Sequence, residues 1–253
     1  MKKNLAIFDF DHTIKENGPT FSYGGRAKLF PGQKIPEEII LKKAELTRSV
    51  FYEAVNDAFN SLNYPKKDVI EAVANDGSLV NGIDQVIKTL FATHDIIIIT
   101  GSDYETVRLF LGKHNLLTFV KKIYGRPSTI DDNGKFIVQE TPKEWAGPCQ
   151  PCKNGHSDKR DYKVFCKTTI LKMYLDNSTN KYERLIYFGD GLNDLCSALS
   201  LGSNDIVCPR KGFKLESVIK ERHFKSIQAA LLPWNNGLEL LSVLSIISKK
   251  NPN

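Results

Sequence analysis

Three short apolar runs constrain this 253-residue chain more than any other feature. Asn4 to Phe8, Ile96 to Ile99 and Leu185 to Phe188 are almost unbroken, and each leads directly to polar chemistry, at Asp9, Thr100 and Asp190. Short apolar runs without alternation read as strands buried on both faces. Helical patterns separate them, over Gly82 to Ala92, Tyr104 to Lys113, Cys166 to Leu175 and after Asp194. A further strand is expected at Ile206 to Val207, with helices from there to the C-terminus. Strands alternating with helices call for a parallel sheet covered on both faces. Within Ile123 to Val138, the turn signal Asp131-Asp132-Asn133-Gly134 predicts a hairpin.

One segment breaks the rhythm. Residues 17 to 36 are rich in Gly and Pro, and a long apolar stripe then runs from about Glu37 to Leu62. Tyr64-Pro65 ends it, and a shorter helix is expected over Lys67 to Ala74. The expected fold class is therefore α/β, a Rossmann-like parallel sheet with a helical cap inserted after the first strand. The core would comprise residues 1–14 and 82–253, and the cap 15–81. Open parallel sheets bind ligands at the carboxyl edge of their strands, which the cap would cover.

Composition narrows the function class. The formal charge of +6 suits a small anionic ligand but is too dispersed to argue for nucleic acid. The apolar run at Ile96 falls far short of the roughly 20 residues of a membrane span, so no membrane is expected. Asp9 and Asp11 interrupt the N-terminal run too early for a signal peptide. Five cysteines, an odd number, argue against a complete disulfide framework and favour a reducing, cytoplasmic compartment. No protein partner is evident.

Four sites at strand ends or helix starts form a chemical set: Asp9-Phe10-Asp11-His12-Thr13, Thr100-Gly101-Ser102, Lys167, and Gly189-Asp190-Gly191-Leu192-Asn193-Asp194. Taken singly, the acidic triplets also fit solvated turns, Lys167 a surface lysine and Thr100 a helix N-cap. Together, in this order, they resemble the four motifs of haloacid-dehalogenase-type phosphatases.

That resemblance implies a Mg²⁺-dependent phosphomonoesterase. Asp9 would be the nucleophile that forms an aspartyl-phosphate, and Asp11 the acid and then the base. Lys167, Thr100 and Gly101 would hold the phosphoryl oxygens, and Thr13 would steady the turn beneath them. Asp9, the backbone carbonyl of Asp11 and Asp190 would bind the metal, supported by Asn193 and Asp194. His12 reads as pocket wall. The partner would be a small phosphate ester. A phosphotransferase on the same intermediate, or an inactive phosphate- or zinc-binding regulatory module, would fit the same residues.

The likeness extends further. Cys149-Gln150-Pro151-Cys152, Cys166-Lys167, Tyr187 to Gly191, Pro209-Arg210-Lys211-Gly212-Phe213 and Leu232-Pro233-Trp234 are similar to the eukaryotic phosphoethanolamine/phosphocholine phosphatases and their pyridoxal phosphate phosphatase siblings. That group carries acids in the first loop and after the second-motif hydroxyl, where a substrate ammonium would sit. Here the first loop offers only Glu16, and Gly101 follows Thr100, with Asp103 two residues on. Glu16 and Asp103 could substitute, and Phe21, Tyr23 and Tyr52 could line an aromatic pocket or pack within the cap. Cys149, Cys152, His156 and Cys166 have the ingredients of a zinc site, against the alternative of buried free thiols.

Overall fold

The computed structural model describes residues 3–18, 65–147, 149 and 165–250. The helical stripe expected over residues 37 to 62 lies outside the described residues, as do Phe21, Tyr23, Tyr52, Cys152 and His156.

Six strands form one parallel sheet: β1 (Asn4–Phe8), β2 (His94–Asp103), β3 (Lys122–Arg126), β6 (Arg184–Gly189), β7 (Ile206–Pro209) and β8 (Ala230–Leu231). Their order is β3-β2-β1-β6-β7-β8, so β1 is central, with Ile7 paired to Ile97 on one side and Tyr187 on the other. The two-residue alternation of a strand then sorts β1 between two cores. Ala6 and Phe8 join Ile96, Ile98 and Phe188 on one face, beneath α2 (Ile83–Phe91), α3 (Tyr104–Lys113) and α7 (Gly237–Lys250). Leu5 and Ile7 join Ile97, Ile99 and Tyr187 on the other, beneath α4 (Lys167–Asn177), α5 (Leu195–Ser200) and α6 (Lys214–Val218). Leu5 through Phe8 are wholly buried, which is why the strand is apolar there and carries its one polar residue, Asn4, at its half-buried start.

The hairpin is where the turn signal predicts it. β4 (Ser128–Ile130) pairs antiparallel with β5 (Phe136–Val138) around the 131–134 turn. Helix α1 (Lys66–Ala74) lays Val69 and Val73 against Ile130, Phe136 and Val138 of that hairpin.

Two expectations change. Strand β2 does not stop at Ile99 but runs through Thr100-Gly101-Ser102 to Asp103, with an irregular register against β3 between Ile99 and Asp103. Thr100 is therefore inside a strand and caps no helix. The chain beyond Val207 is not all helical, because β8 adds a sixth strand through Ala230 and Leu231. A two-residue strand is too short to carry a period in the sequence.

The strand order places the site. The chain moves outward from β1 to β2 to β3, then crosses back to β6 and moves outward the other way. The reversal opens a crevice at the carboxyl ends of β1 and β6, the position where such sheets receive ligands. Asp9 follows β1 and Asp190 follows β6.

Candidate active site

The segment after β1 is held by one carbonyl. The amides of Thr13, Ile14 and Lys15 donate to Phe10 O at 3.2, 2.8 and 3.0 Å, winding residues 10–15 into a tight turn. Asp9 N donates to Phe188 O at 2.9 Å, extending the β1–β6 ladder by one rung. Phe10 N in turn donates to Asp9 Oδ1 at 2.7 Å. Thr13, expected to steady this turn, is wholly buried, but its hydroxyl has no hydrogen-bond partner among the described residues. The backbone amides hold the turn instead.

Asp9 and Asp11 face different surroundings. Asp9 Oδ2 meets Lys167 Nζ at 2.8 Å, whereas Asp11 Oδ2 accepts a hydrogen bond from Ser102 Oγ at 2.5 Å. Ser102 N donates to Thr100 Oγ1 at 3.1 Å, so the bent end of β2 presents both hydroxyls together. Burial raises the Asp11 carboxyl above its ordinary value, against the pull of the Ser102 hydroxyl. Gly101 is half-buried, and a side chain there would meet open space.

Lys167 is no surface lysine. As the first residue of α4 its side chain is 1% exposed, and its Nζ lies 2.7 Å from Asp194 Oδ1 as well as 2.8 Å from Asp9. Burial works against its charge, but Asp194 and Asp9 outweigh that and raise its pKa. Asp194 is tied from four directions. Oδ1 also accepts from the Tyr187 hydroxyl at 2.7 Å, and Oδ2 accepts from the amides of Asp190 and Gly191 at 3.2 and 3.0 Å. Gly189 makes this closeness possible, since a Cβ there would lie 2.6 Å from Asp194 Cγ. Asn193 lies beside Asp194 in the turn Leu192–Asp194.

Asp9, Asp190 and Asp194 bring carboxylate oxygens within 4.8 Å of one another, all buried. Three carboxylates face the one ammonium of Lys167, and the imbalance appears in the acidities of Asp9 and Asp190. Burial, then repulsion from Asp194, raises Asp190 to about 7 despite Lys167. Burial raises Asp9 well above the usual carboxylate range, with Lys167 opposing and Asp194 and Asp190 adding to the rise. Excess buried negative charge carried on hard oxygen donors fits a small divalent cation such as Mg²⁺. Asp9, the Asp11 carbonyl and Asp190 could hold it, with Asp194 already engaged by its donors.

The structure therefore brings Asp9, Asp190, Asp194 and Lys167 into one cluster and sets Asp11 beside Ser102. Ser102, Tyr187 and Arg210 carry no assigned role in the sequence reading. Tyr187 reads there as core, and only the need of a buried hydroxyl for a partner hints otherwise. Cys149 and Cys166 pack with Cys196, while the other two proposed zinc ligands lie outside the described residues.

A family model described as "Putative Phosphatase" matches residues 4–247. A phosphoethanolamine/phosphocholine phosphatase from Gallus gallus is 28% identical over 98% of this chain and 90% of its own length. The pyridoxal phosphate phosphatase PHOSPHO2 of Mus musculus is 24% identical over 98% of this chain and 99% of its own. Among solved structures, a phospho-aspartyl intermediate analogue of phosphoserine phosphatase superposes with a TM-score of 0.53 at 15% identity. That superposition covers 96% of this chain and 99% of the other, and it establishes the likeness in fold.

Proposed function

This chain belongs to the "Putative Phosphatase" family and is a haloacid-dehalogenase-type phosphoric monoester hydrolase, and from that premise we propose that it cleaves a small phosphomonoester through an aspartyl-phosphate on Asp9. The observation that carries this reading is the bridge of Lys167 Nζ between Asp9 and Asp194 at the sheet's switch point. One cation there neutralises the attacking carboxylate's surroundings and is in place to hold phosphoryl oxygens.

In this reading an oxygen of Asp9 attacks phosphorus as the ester P–O bond breaks, and Asp11 gives its proton to the departing alkoxide. Water then attacks the aspartyl-phosphate, Asp11 takes its proton, and phosphate leaves as Asp9 is restored. Thr100 and the Gly101 amide hold the phosphoryl oxygens. Asp9, the Asp11 carbonyl and Asp190 hold Mg²⁺, with Asn193 and Asp194 supporting them. When bound, the ion supplies positive charge to the phosphoryl group. Residues 15–81 act as the cap, and the enzyme works in the cytoplasm without a partner protein.

The substrate class follows from charge. The relatives hydrolyse phosphoethanolamine or phosphocholine in one case and pyridoxal phosphate in another, by their names. Glu16, the first-loop acid that could face an ammonium, is already paired through both carboxylate oxygens to Arg210, at 2.7 and 2.9 Å. Gly101 offers no side chain, and Asp103 is 6% exposed at the end of β2, opposite Arg126 of β3. A desolvated ammonium needs an unshared anion, so esters without one, such as pyridoxal phosphate, are the preferred class. Phosphate release should be measured from pyridoxal phosphate, phosphoethanolamine, phosphocholine and phosphoserine, with and without Mg²⁺. Mg²⁺-dependent turnover favouring pyridoxal phosphate is expected; preference for phosphoethanolamine would overturn the charge argument, and no release from any ester would overturn the enzyme reading.

Two further results are expected. Gly101→Asp, which meets open space, should raise kcat/KM for phosphoethanolamine relative to a phosphate ester of an uncharged alcohol by about 10-fold, one well-placed charge contact. An unchanged ratio would remove position 101 from substrate recognition. The second concerns pH. Because Asp190 titrates near 7 when folded and near its ordinary 3.8 when unfolded, folding is favoured below 3.8 and progressively penalised up to about 7. The metal-free protein should therefore melt lower at pH 8 than at pH 5, and Mg²⁺ should raise Tm more at pH 8. Equal metal stabilisation at both values would separate the ion from these carboxylates.

A further inference from the structure

Arg210 follows β7 and is 6% exposed, an unusual place for a guanidinium. Its surroundings fix it from several sides. Its amide donates to Gly189 O at 2.9 Å, immediately before Asp190. Its guanidinium carbon lies 4.8 Å from the Phe213 ring centroid and 5.6 Å from that of Trp234, which is itself anchored by Nε1–H to Cys208 O at 2.9 Å. From this seat the side chain reaches across the crevice to the Asp11 segment. Nη1 donates to the carbonyl of His12 at 2.6 Å, and Nη2 to both oxygens of Glu16.

The carbonyl it grips belongs to a strained residue. His12 has φ 55°, a left-handed conformation that costs a side-chain-bearing residue roughly 1–2 kcal/mol. Two hydrogen bonds that involve side chains hold it there: the one between its Nδ1 and Glu16 O at 2.9 Å, and the Arg210 donation to its carbonyl; its ring also packs 5.2 Å from that of Phe213. Asp11 immediately precedes it, so the turn at His12 sets where the Asp11 backbone leaves the site and hence where its carboxylate meets Ser102. We propose that Arg210 is a positioning residue for Asp11, a guanidinium strut that ties the acid-bearing turn after β1 to the Asp190 side of the crevice. The role rests on reading Asp11 as the general acid.

The test measures first-turnover release of the alcohol from two esters, p-nitrophenyl phosphate and glycerol 2-phosphate. A nitrophenolate departs without a proton, whereas an alkoxide requires one, so misplacing Asp11 penalises only the second. Arg210→Ala should slow alcohol release from glycerol 2-phosphate by about 100-fold and nitrophenolate release by under about 10-fold, the scale for a displaced catalytic group. Glu16→Gln, which keeps an acceptor and loses the charge, should show the same selectivity more weakly, and Arg210→Lys should fall between. Equal losses on both esters, or none, would overturn the proposal. If Arg210→Ala does not fold, selectivity in Arg210→Lys or Glu16→Gln still supports it, and its absence from both overturns it. Wild type and Asp11→Asn separate the premises. A wild type inert on both esters fails the phosphatase reading, and an Asp11→Asn variant without ester selectivity fails the acid assignment. Selectivity in Asp11→Asn but not in the Arg210 variants fails only the strut.

Discussion

Asp9→Asn is expected to cut turnover at least about 10⁴-fold while leaving the metal-free protein more heat-stable than wild type. The first effect follows from losing the attacking carboxylate, and removal of a single nucleophile costs other enzymes on that scale or beyond. The second follows from the electrostatics around it. Burial, Asp194 and Asp190 all work against the charge on Asp9, and Lys167 only partly offsets them. Its pKa is higher folded than unfolded, so above the ordinary carboxylate range an ionised Asp9 subtracts from stability. An amide of the same shape removes that penalty and leaves Lys167 bonded to Asp194. A rise of a few degrees in Tm is the expected scale. The opposite signs matter, because a variant that is inactive and also unstable could simply be misfolded. Turnover near wild type would sink the nucleophile assignment. A lowered Tm would show that Asp9 holds Lys167 in place more than it repels its neighbours.

The same electrostatics explain which parts of the site can be read along the chain. Strands β1, β2 and β6 are legible because burial on both faces demands unbroken apolar runs, and Leu5 to Phe8 satisfy that at every position. Their parallel order then brings Asp9, Thr100 and Asp190 to one edge without any knowledge of contacts. What spacing cannot supply is which polar atoms meet. Lys167 and Asp194 stand 27 residues apart, and nothing local in either marks the other as its partner. Tyr187 occupies a strand position indistinguishable from core until its hydroxyl is found on Asp194.

Glu16 shows the cost of that blindness most clearly. As the lone acid of its loop it reads as a free anion suited to a substrate ammonium. Its partner is 194 residues away, at Arg210. Once the pair is known, the one acid of that loop that could have stood in for the missing ones is already neutralised, and the case against a cationic alcohol strengthens. Thr100 illustrates a smaller version of the same limit. A hydroxyl after an apolar run suggests a helix cap, but pairing of β2 with β3 resumes at Asp103 opposite Arg126, so the strand carries on beyond it.

Lys167→Met should abolish turnover and lower the Tm of the metal-free protein at pH 8 by on the order of 10 °C, the equivalent of breaking a buried ion pair worth about 3–5 kcal/mol. Methionine matches the apolar stem, and the side chain is 1% exposed, so the loss isolates the charge. Without that ammonium, Asp9, Asp190 and Asp194 remain buried within 4.8 Å of one another and uncompensated. Lys167 opposes the rise at both Asp9 and Asp190, so its removal drives both carboxyls higher still. Their penalty begins at the ordinary carboxylate value and grows until the folded pKa is passed. Lowering the pH to about 5 should therefore recover much of the lost Tm, because protonation removes the unpaired charges. Mg²⁺ at pH 8 should recover part of it as well, because the ion replaces positive charge among the same oxygens. Neither treatment should restore turnover, since neither returns a donor between Asp9 and Asp194. A variant that melts like wild type at both pH values would mean that Lys167 is dispensable to the fold, and its charge would then have to be retained for the phosphoryl group alone.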